Sequence, residues 1–424
     1  MKQSTYPLEL LLGMKYYASD AEGIGGKLRA AAEDFIVEEI PLPEKGGTTG
    51  PYLICRLTKT NWELQHAIKE IAKRLAISHR RIGWAGTKDR NAITRQVISL
   101  YKVTPEQVSA VRLKDITLEP VGQANEALSL GDLLGNRFSI AIRDCLPDNL
   151  EARVRLTNET AAQGIPNYFG IQRFGATRPV THLVGEYILR GDFEKTVMTY
   201  IGREFSGEPE NVRVVRSAFL STRDIPAALH DLPKQMSYER AMLHYLYRHP
   251  DDYSGALLEL PPKLLSMFVS AFQSFLFNSA LSQRFDDGHT LSEPLEGDRL
   301  IFANGRTDSV TSTNSNAVSI HIRRGRCTIA LFMPGSDPFE GKSEGDLAIS
   351  ALLEKYAITA ENFKKASVFV HTKFDGAWRP IALKTAIELS LDKNDVRLKF
   401  SLPPGHYATT VCREFMKADP VQMI

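Results

Sequence analysis

The stretch Gly83-Trp-Ala-Gly-Thr-Lys-Asp-Arg-Asn-Ala-Ile-Thr-Arg-Gln96 sets one carboxylate, Asp89, between two cations, Lys88 and Arg90, just after a glycine turn. Ile82 to Ala85 before it reads as a short buried strand, and Arg95 to Tyr101 after it as a longer one. Asp89 therefore falls on a loop at a strand end, where a rigid scaffold presents functional side chains. Upstream, Thr60 and Glu63 have the spacing of a capping box for a helix whose apolar positions Leu64, Ala67, Ile68, Ile71, Ala72 and Leu75 recur at helical period.

Charge around this acid is one-sided. From Lys73 to Arg95 the bases are Lys73, Arg74, Arg80, Arg81, Lys88, Arg90 and Arg95, and Asp89 is the only acid. The whole chain carries 52 basic and 50 acidic residues, so the basic face is a local feature whose natural partner is a polyanion. A phosphate loop would need G-x-x-x-x-G-K followed by Ser or Thr, whereas Lys88 follows Thr87 and precedes Asp89.

The fold class is α+β. Strands are expected at Asp34 to Glu39, Tyr52 to Thr58, Arg95 to Tyr101, Arg137 to Arg143 and Arg397 to Leu402. Helix starts are expected at Thr104-Pro105 and at Asn149, the latter helix ending at Gln163 against Gly164. From about Ser237 the chain turns helical, and Pro261-Pro262 opens a long helix with Leu264, Leu265, Phe268, Phe272, Phe275 and Leu276 on one broad apolar face. From Arg299 to Met333 the pattern changes to strands, with an Asn304-Gly305 hairpin and a polar loop from Ser309 to Asn316.

At 424 residues and 43% hydrophobic, the chain can bury two or three domain cores. No run approaches the 18 or so apolar residues that span a bilayer, so a cytoplasmic protein without a membrane partner is expected. Cys55, Cys145, Cys327 and Cys412 are far apart and form no C-x-x-C pair. Reduced packing residues and no metal site are the expectation.

The string GTKDRNAITRQ resembles the signature of the TruD family of pseudouridine synthases, whose catalytic aspartate lies in a Lys-Asp-Arg or Lys-Asp-Lys motif. Four further segments resemble the same family in the same order: GGKLRAAAEDFIVEE from Gly25, GDLLGNRF from Gly131, NYFGIQRFG from Asn167 and LPPGHYATTVCRE from Leu402. The resemblance implies a catalytic core built on a curved, largely antiparallel mixed sheet flanked by helices, with an inserted α/β TRUD domain. On this reading residues 1–185 and 385–424 form the core and 186–384 the insertion.

The implied reaction turns uridine into pseudouridine in tRNA, most specifically at position 13 of the D arm. The glycosidic bond to N1 breaks, the base turns, and C5 takes its place on ribose C1′. Nothing is oxidised or added, so no cofactor or metal is expected, and tRNA is the expected partner with no obligate protein partner. Asp89 is the candidate catalytic carboxylate, as nucleophile or as base. By alignment of LRAAAEDF the family's basic partner falls on Arg29, with Phe35 in the same segment. Asn167 is a candidate for hydrogen bonding the nucleotide, and Phe169 and Tyr407 are candidates for contacting the base. Lys88 and Arg90 are candidate substrate contacts. The rivals are a non-catalytic RNA-binding protein or RNA chaperone, and an RNA methyltransferase, for which no cofactor loop is found.

Overall fold

Alternation of apolar and polar residues organises the first half of the chain. In Tyr52–Thr60 the inward positions are Leu53, Cys55, Leu57 and Lys59, all buried. In Ile93–Tyr101 they are Thr94, Gln96, Ile98 and Leu100. A period of two with one face covered fixes the register, because a one-residue slip would expose every inward side chain. The computed structural model describes residues 1–43, 47–339 and 341–423. It divides into two compact units, one of Ser19–Gly164 with Lys384–Ile424 and one of Met1–Ala18 with Ile165–Leu383.

The first unit is built on a nine-stranded open sheet. Its main path runs Glu388–Asp392, Asp395–Leu402, Leu133–Cys145, Phe35–Pro41, Ile93–Tyr101, Tyr52–Thr60 and Ile116–Ala124. Gly25–Lys27 adds to Leu133–Cys145, and Ile82–Trp84 adds to Ile93–Tyr101. All pairings are antiparallel except Phe35–Pro41 with Ile93–Tyr101. The largely antiparallel, mixed sheet expected from the sequence is thus observed. A segment near the end of the chain completes it, since Val396 to Leu402 pairs with Ile142 to Asn136 and carries the edge strand Glu388–Asp392.

The helix Leu64–Arg74 covers one end of this sheet, packing Leu64, Ala67, Ile68 and Ile71 on Leu53, Cys55, Leu57, Ile98 and Leu100. Its cap differs from the expected one. Thr60 is the last residue of a strand, paired with Ile93, and the N-cap is Glu63, whose carboxylate accepts from the backbone N–H groups of Gln65 and His66 at 2.9 and 2.7 Å. The ladder claims Thr60 before it can cap a helix. The helix start expected at Thr104-Pro105 is present, and Thr104 closes a capping box with Gln107.

The second unit is mainly helical around Pro262–Asp286, whose Leu265, Phe268, Phe272 and Leu276 join Val184, Ile188, Leu243 and Phe363 in the core. Contrary to the expectation that no run is apolar enough, this helix could cross a membrane by length and composition; 67% of its apolar window is buried inside the protein. It is a core helix. A four-stranded sheet in this unit runs Thr307–Ser309, Arg299–Phe302, Cys327–Met333 and Ala377–Pro380. The Asn304-Gly305 hairpin forms, with Gly305 at φ 81°. The polar segment read as a loop to Asn316 instead enters a helix, Ser315–Arg323, which buries Val318 and Ile322.

Candidate active site

Three strands converge beneath the loop that carries Asp89. The loop leaves Ile82–Trp84, where Gly83 is required: a Cβ there would lie 2.4 Å from the Leu128 carbonyl oxygen and 2.6 Å from Ser99 Oγ. It returns into Ile93–Tyr101. Between these ends each neighbouring strand sends one buried polar side chain into the loop. Gln96 Nε2 donates to the Gly86 carbonyl at 3.1 Å. Glu39, from Phe35–Pro41, accepts from Lys88 Nζ at 2.5 Å through one oxygen and from Val97 N–H at 3.2 Å through the other. Lys59, from Tyr52–Thr60, donates to the Asp89 carbonyl at 2.8 Å and to the Trp62 carbonyl at 2.7 Å.

These groups are expensive to bury and are paired accordingly. The Lys88 and Glu39 side chains are 4% and 1% exposed, and an ion pair so enclosed holds only when both charges find partners. Lys59 is fully buried, and burial pulls its ammonium down to about 8, against the pull of Asp89 and Glu63 in the other direction.

The Asp89 carboxylate itself is 45% exposed and takes Arg29 NH2 at 2.9 Å. Arg29 stacks its guanidinium over the Phe35 ring at 4.1 Å to the centroid. Its backbone has φ 57°, in the left-handed region, which non-glycine residues occupy at a cost. The flanking chain holds it there. Leu28 N–H bonds the Gln422 carbonyl, and Ala31 N–H is received by Asp34, which also takes Arg143 Nε at 2.9 Å. Arg143 is bound by both Asp34 and Asp395 and is held in its charged form.

Asp89, Arg29 and Phe35 are therefore brought together. Lys88 sits in the same loop but turns inward to Glu39, while Arg90 is exposed. Tyr407 heads the helix Ala408–Met416, accepting Thr410 N–H at its carbonyl. Asn167 and Phe169 lie in the other unit. Asn167 is fully buried, donating to the Pro380 carbonyl at 2.8 Å and accepting from Arg379 at 2.9 Å. Phe169 is 6% exposed, with the Arg379 guanidinium 3.9 Å from its centroid and Phe277 edge-on at 5.7 Å.

Glu39, Lys59, Gln96 and Arg379 were missed by motif reading. For the first three a signal existed: a charged or amide side chain at an inward position of an otherwise apolar alternating strand. Among the described residues no group of three or more His, Cys, Asp or Glu is placed to hold a metal ion. The four cysteines are buried, and burial raises the Cys55 and Cys412 thiols to about 12.

A model of the family described as tRNA pseudouridine synthase D (TruD) matches residues 11–415. A probable tRNA pseudouridine synthase D of Methanococcoides burtonii is 40% identical, with 98% of each chain covered. Another from Archaeoglobus fulgidus is 36% identical over 97% of this chain and all of its own. The crystal structure of a putative tRNA pseudouridine synthase D from Methanosarcina mazei superposes with a TM-score of 0.84 at 36% identity, covering 99% of this chain and 100% of that one. The chain belongs to the tRNA pseudouridine synthase D (TruD) family, as the five ordered sequence segments had implied.

Proposed function

We propose that this chain isomerises uridine to pseudouridine in tRNA, with Asp89 as the catalytic carboxylate and uridine 13 of the D arm as the target. The observation that carries the assignment to Asp89 is its geometry: a half-exposed carboxylate, backbone pinned from below, charge-paired at 2.9 Å with a guanidinium that is itself stacked on Phe35. Arginine stays protonated throughout, so Asp89 is oriented by a fixed positive charge on one oxygen while the other faces away from that contact. That oxygen either attacks ribose C1′ as the bond to N1 breaks and uracil leaves with the electron pair, or removes the proton from ribose C2′ as the same bond breaks, and Arg29 holds the carboxyl group in place in either course.

Around this centre, Arg90 and Tyr407 are proposed to contact the nucleotide, and Lys88 to serve it by holding the loop on Glu39. Asn167 and Phe169 enter the proposal through their family segment. A base stacks on Phe169 only after displacing what covers the ring, Arg379 included. A cytoplasmic location follows from a tRNA substrate.

The test is to incubate transcribed tRNA with the purified chain and map pseudouridine at each position. Asp89→Asn keeps the shape and loses the charge, so single-turnover formation should fall about 10²- to 10⁴-fold with tRNA affinity nearly unchanged. Product at position 13 with a wild-type rate in the Asn variant would remove Asp89 from this role. Product only at other positions would refute the target.

A further inference from the structure

We propose that Lys59 is a positioning residue for the catalytic loop, its ammonium holding the Asp89 carbonyl so that the carboxylate is presented at a fixed place. This deepens the reading of Asp89 as catalytic and rests on it.

In the strand Tyr52–Thr60 the positions facing the helix read Leu53, Cys55 and Leu57, and Lys59 follows them at the same period of two. An apolar residue at 59 would continue the core under the helix Leu64–Arg74. A lysine there instead carries a full charge into a site with no solvent exposure, which costs several kcal/mol before compensation. Compensation comes from two backbone carbonyls, at Trp62 and Asp89, contributed by segments far apart in the chain. One of the two is the carbonyl of the very residue whose side chain is needed.

The other points that hold the loop divide the labour. Gln96 fixes Gly86, at the loop's entry, and Glu39 fixes the Lys88 side chain. Arg29 reaches the Asp89 carboxylate from the outside. Among the described residues only Lys59 fixes the Asp89 main chain. Without it the carboxylate keeps one hydrogen bond to Arg29 about which it can swing, and displacements of about 1 Å at a reacting group can cost on the order of 10²-fold in rate.

The charged groups that act on Lys59 are Asp89 and Glu63, which favour the ammonium, and Lys88, which opposes it. Lys88 is itself neutralised by Glu39. With its ammonium pulled down to about 8 by burial, Lys59 loses its proton in an accessible range, and the neutral amine holds the carbonyl less strongly and leaves Asp89 one cation poorer.

The experiment measures single-turnover pseudouridine formation at saturating protein from pH 6.5 to 9.5, with tRNA affinity measured separately. It compares the unmodified chain with Lys59→Met, Lys59→Arg and Asp89→Asn. The unmodified rate should decline at least tenfold above about pH 8. Lys59→Met should be at least tenfold slow at pH 7 with no further decline, and its tRNA affinity should stay within about threefold. Lys59→Arg keeps the charge at every pH and should lose the alkaline decline whatever its absolute rate. A folded Met variant within twofold of the unmodified rate overturns the proposal, as does the same alkaline decline in the Arg variant. If the Met variant does not fold, the comparison of the unmodified and Arg profiles decides alone. Asp89→Asn separates the layers. An active Asn variant refutes the parent reading, whereas an inactive Asn variant beside a normal Met variant refutes only the role of Lys59.

Discussion

Replacing Arg29 by glycine should separate stability from activity, because this residue is strained where it stands. At φ 57° an arginine pays roughly 1–2 kcal/mol that glycine does not. Against that relief, the variant loses the stacking on Phe35, worth about 0.5–1 kcal/mol, and an ion pair whose partner is 45% exposed, worth about 1 kcal/mol at most. It also adds about 0.5–1 kcal/mol of unfolded-chain entropy. The sum is close to zero, so the melting temperature should move by only a few degrees. Catalysis has no such offset. A hydrogen bond to a charged group contributes about 1.5–3 kcal/mol, which puts the loss in single-turnover rate at about 10- to 100-fold if Arg29 holds Asp89 in the reacting geometry. Arg29→Ala keeps the strained backbone and should melt below the glycine variant at a similar rate, while Arg29→Lys should recover part of the rate. Calorimetry and single-turnover mapping on the same preparations decide. A folded glycine variant turning over within twofold of the unmodified chain would refute the reasoning.

The basic run before the loop divides into two kinds of arginine. Arg80 is exposed, whereas Arg81 donates to the carbonyls of Tyr101 and Lys102 and clasps the strand end. Arg80→Ala should therefore make the log–log salt dependence of tRNA binding shallower by up to about 0.9, while Arg81→Ala should chiefly lower the melting temperature; the reverse assignment would show that tRNA tracks another face. Lys59 adds a stability signature to its rate signature. Its folded value lies below the ordinary lysine value, so between about pH 8 and 10.5 the unfolded chain binds more protons, and its contribution to stability rises with pH while activity falls. Denaturant titrations should show this rise in the unmodified chain and lose it in Lys59→Met. In the helical unit His182 is buried against Phe174 and Phe275, and burial lowers it to about 3. The unfolded chain binds the extra proton between about pH 3 and 6.5, so this unit should lose stability as pH falls through that window. His182→Phe should flatten that limb of the stability profile.

The strands were legible because one covered face imposes a period of two, and the sheet's central strands have it. The long helix was legible from Pro261-Pro262 and the spacing of its phenylalanines. Ser315–Arg323 was not, because serine, asparagine and β-branched residues carry little helical preference, and the helix exists by packing Val318 and Ile322. Asp89 and Arg29 were found through their motifs, and the structure joins them. Their supports Glu39, Lys59 and Gln96 were not, and only a polar side chain at a buried strand position marked them.

The cations next to Asp89 in sequence are not the ones that hold it. Asp89 stands between Lys88 and Arg90 in sequence, yet Lys88 is spent on Glu39 and Arg90 is exposed. The two cations that hold Asp89 are Arg29 on its carboxylate and Lys59 on its carbonyl, from 60 and 30 residues away. This distribution has a physical reason. Residues adjacent in a loop share its motions, so their charges cannot fix one another, whereas Lys59, rooted in a strand, and Arg29, on a turn held by Gln422 and Asp34, can. The flanking lysine contributes instead by tethering the loop to the sheet through Glu39, which leaves the carboxylate as the one member of the group with both a fixed backbone and an open face.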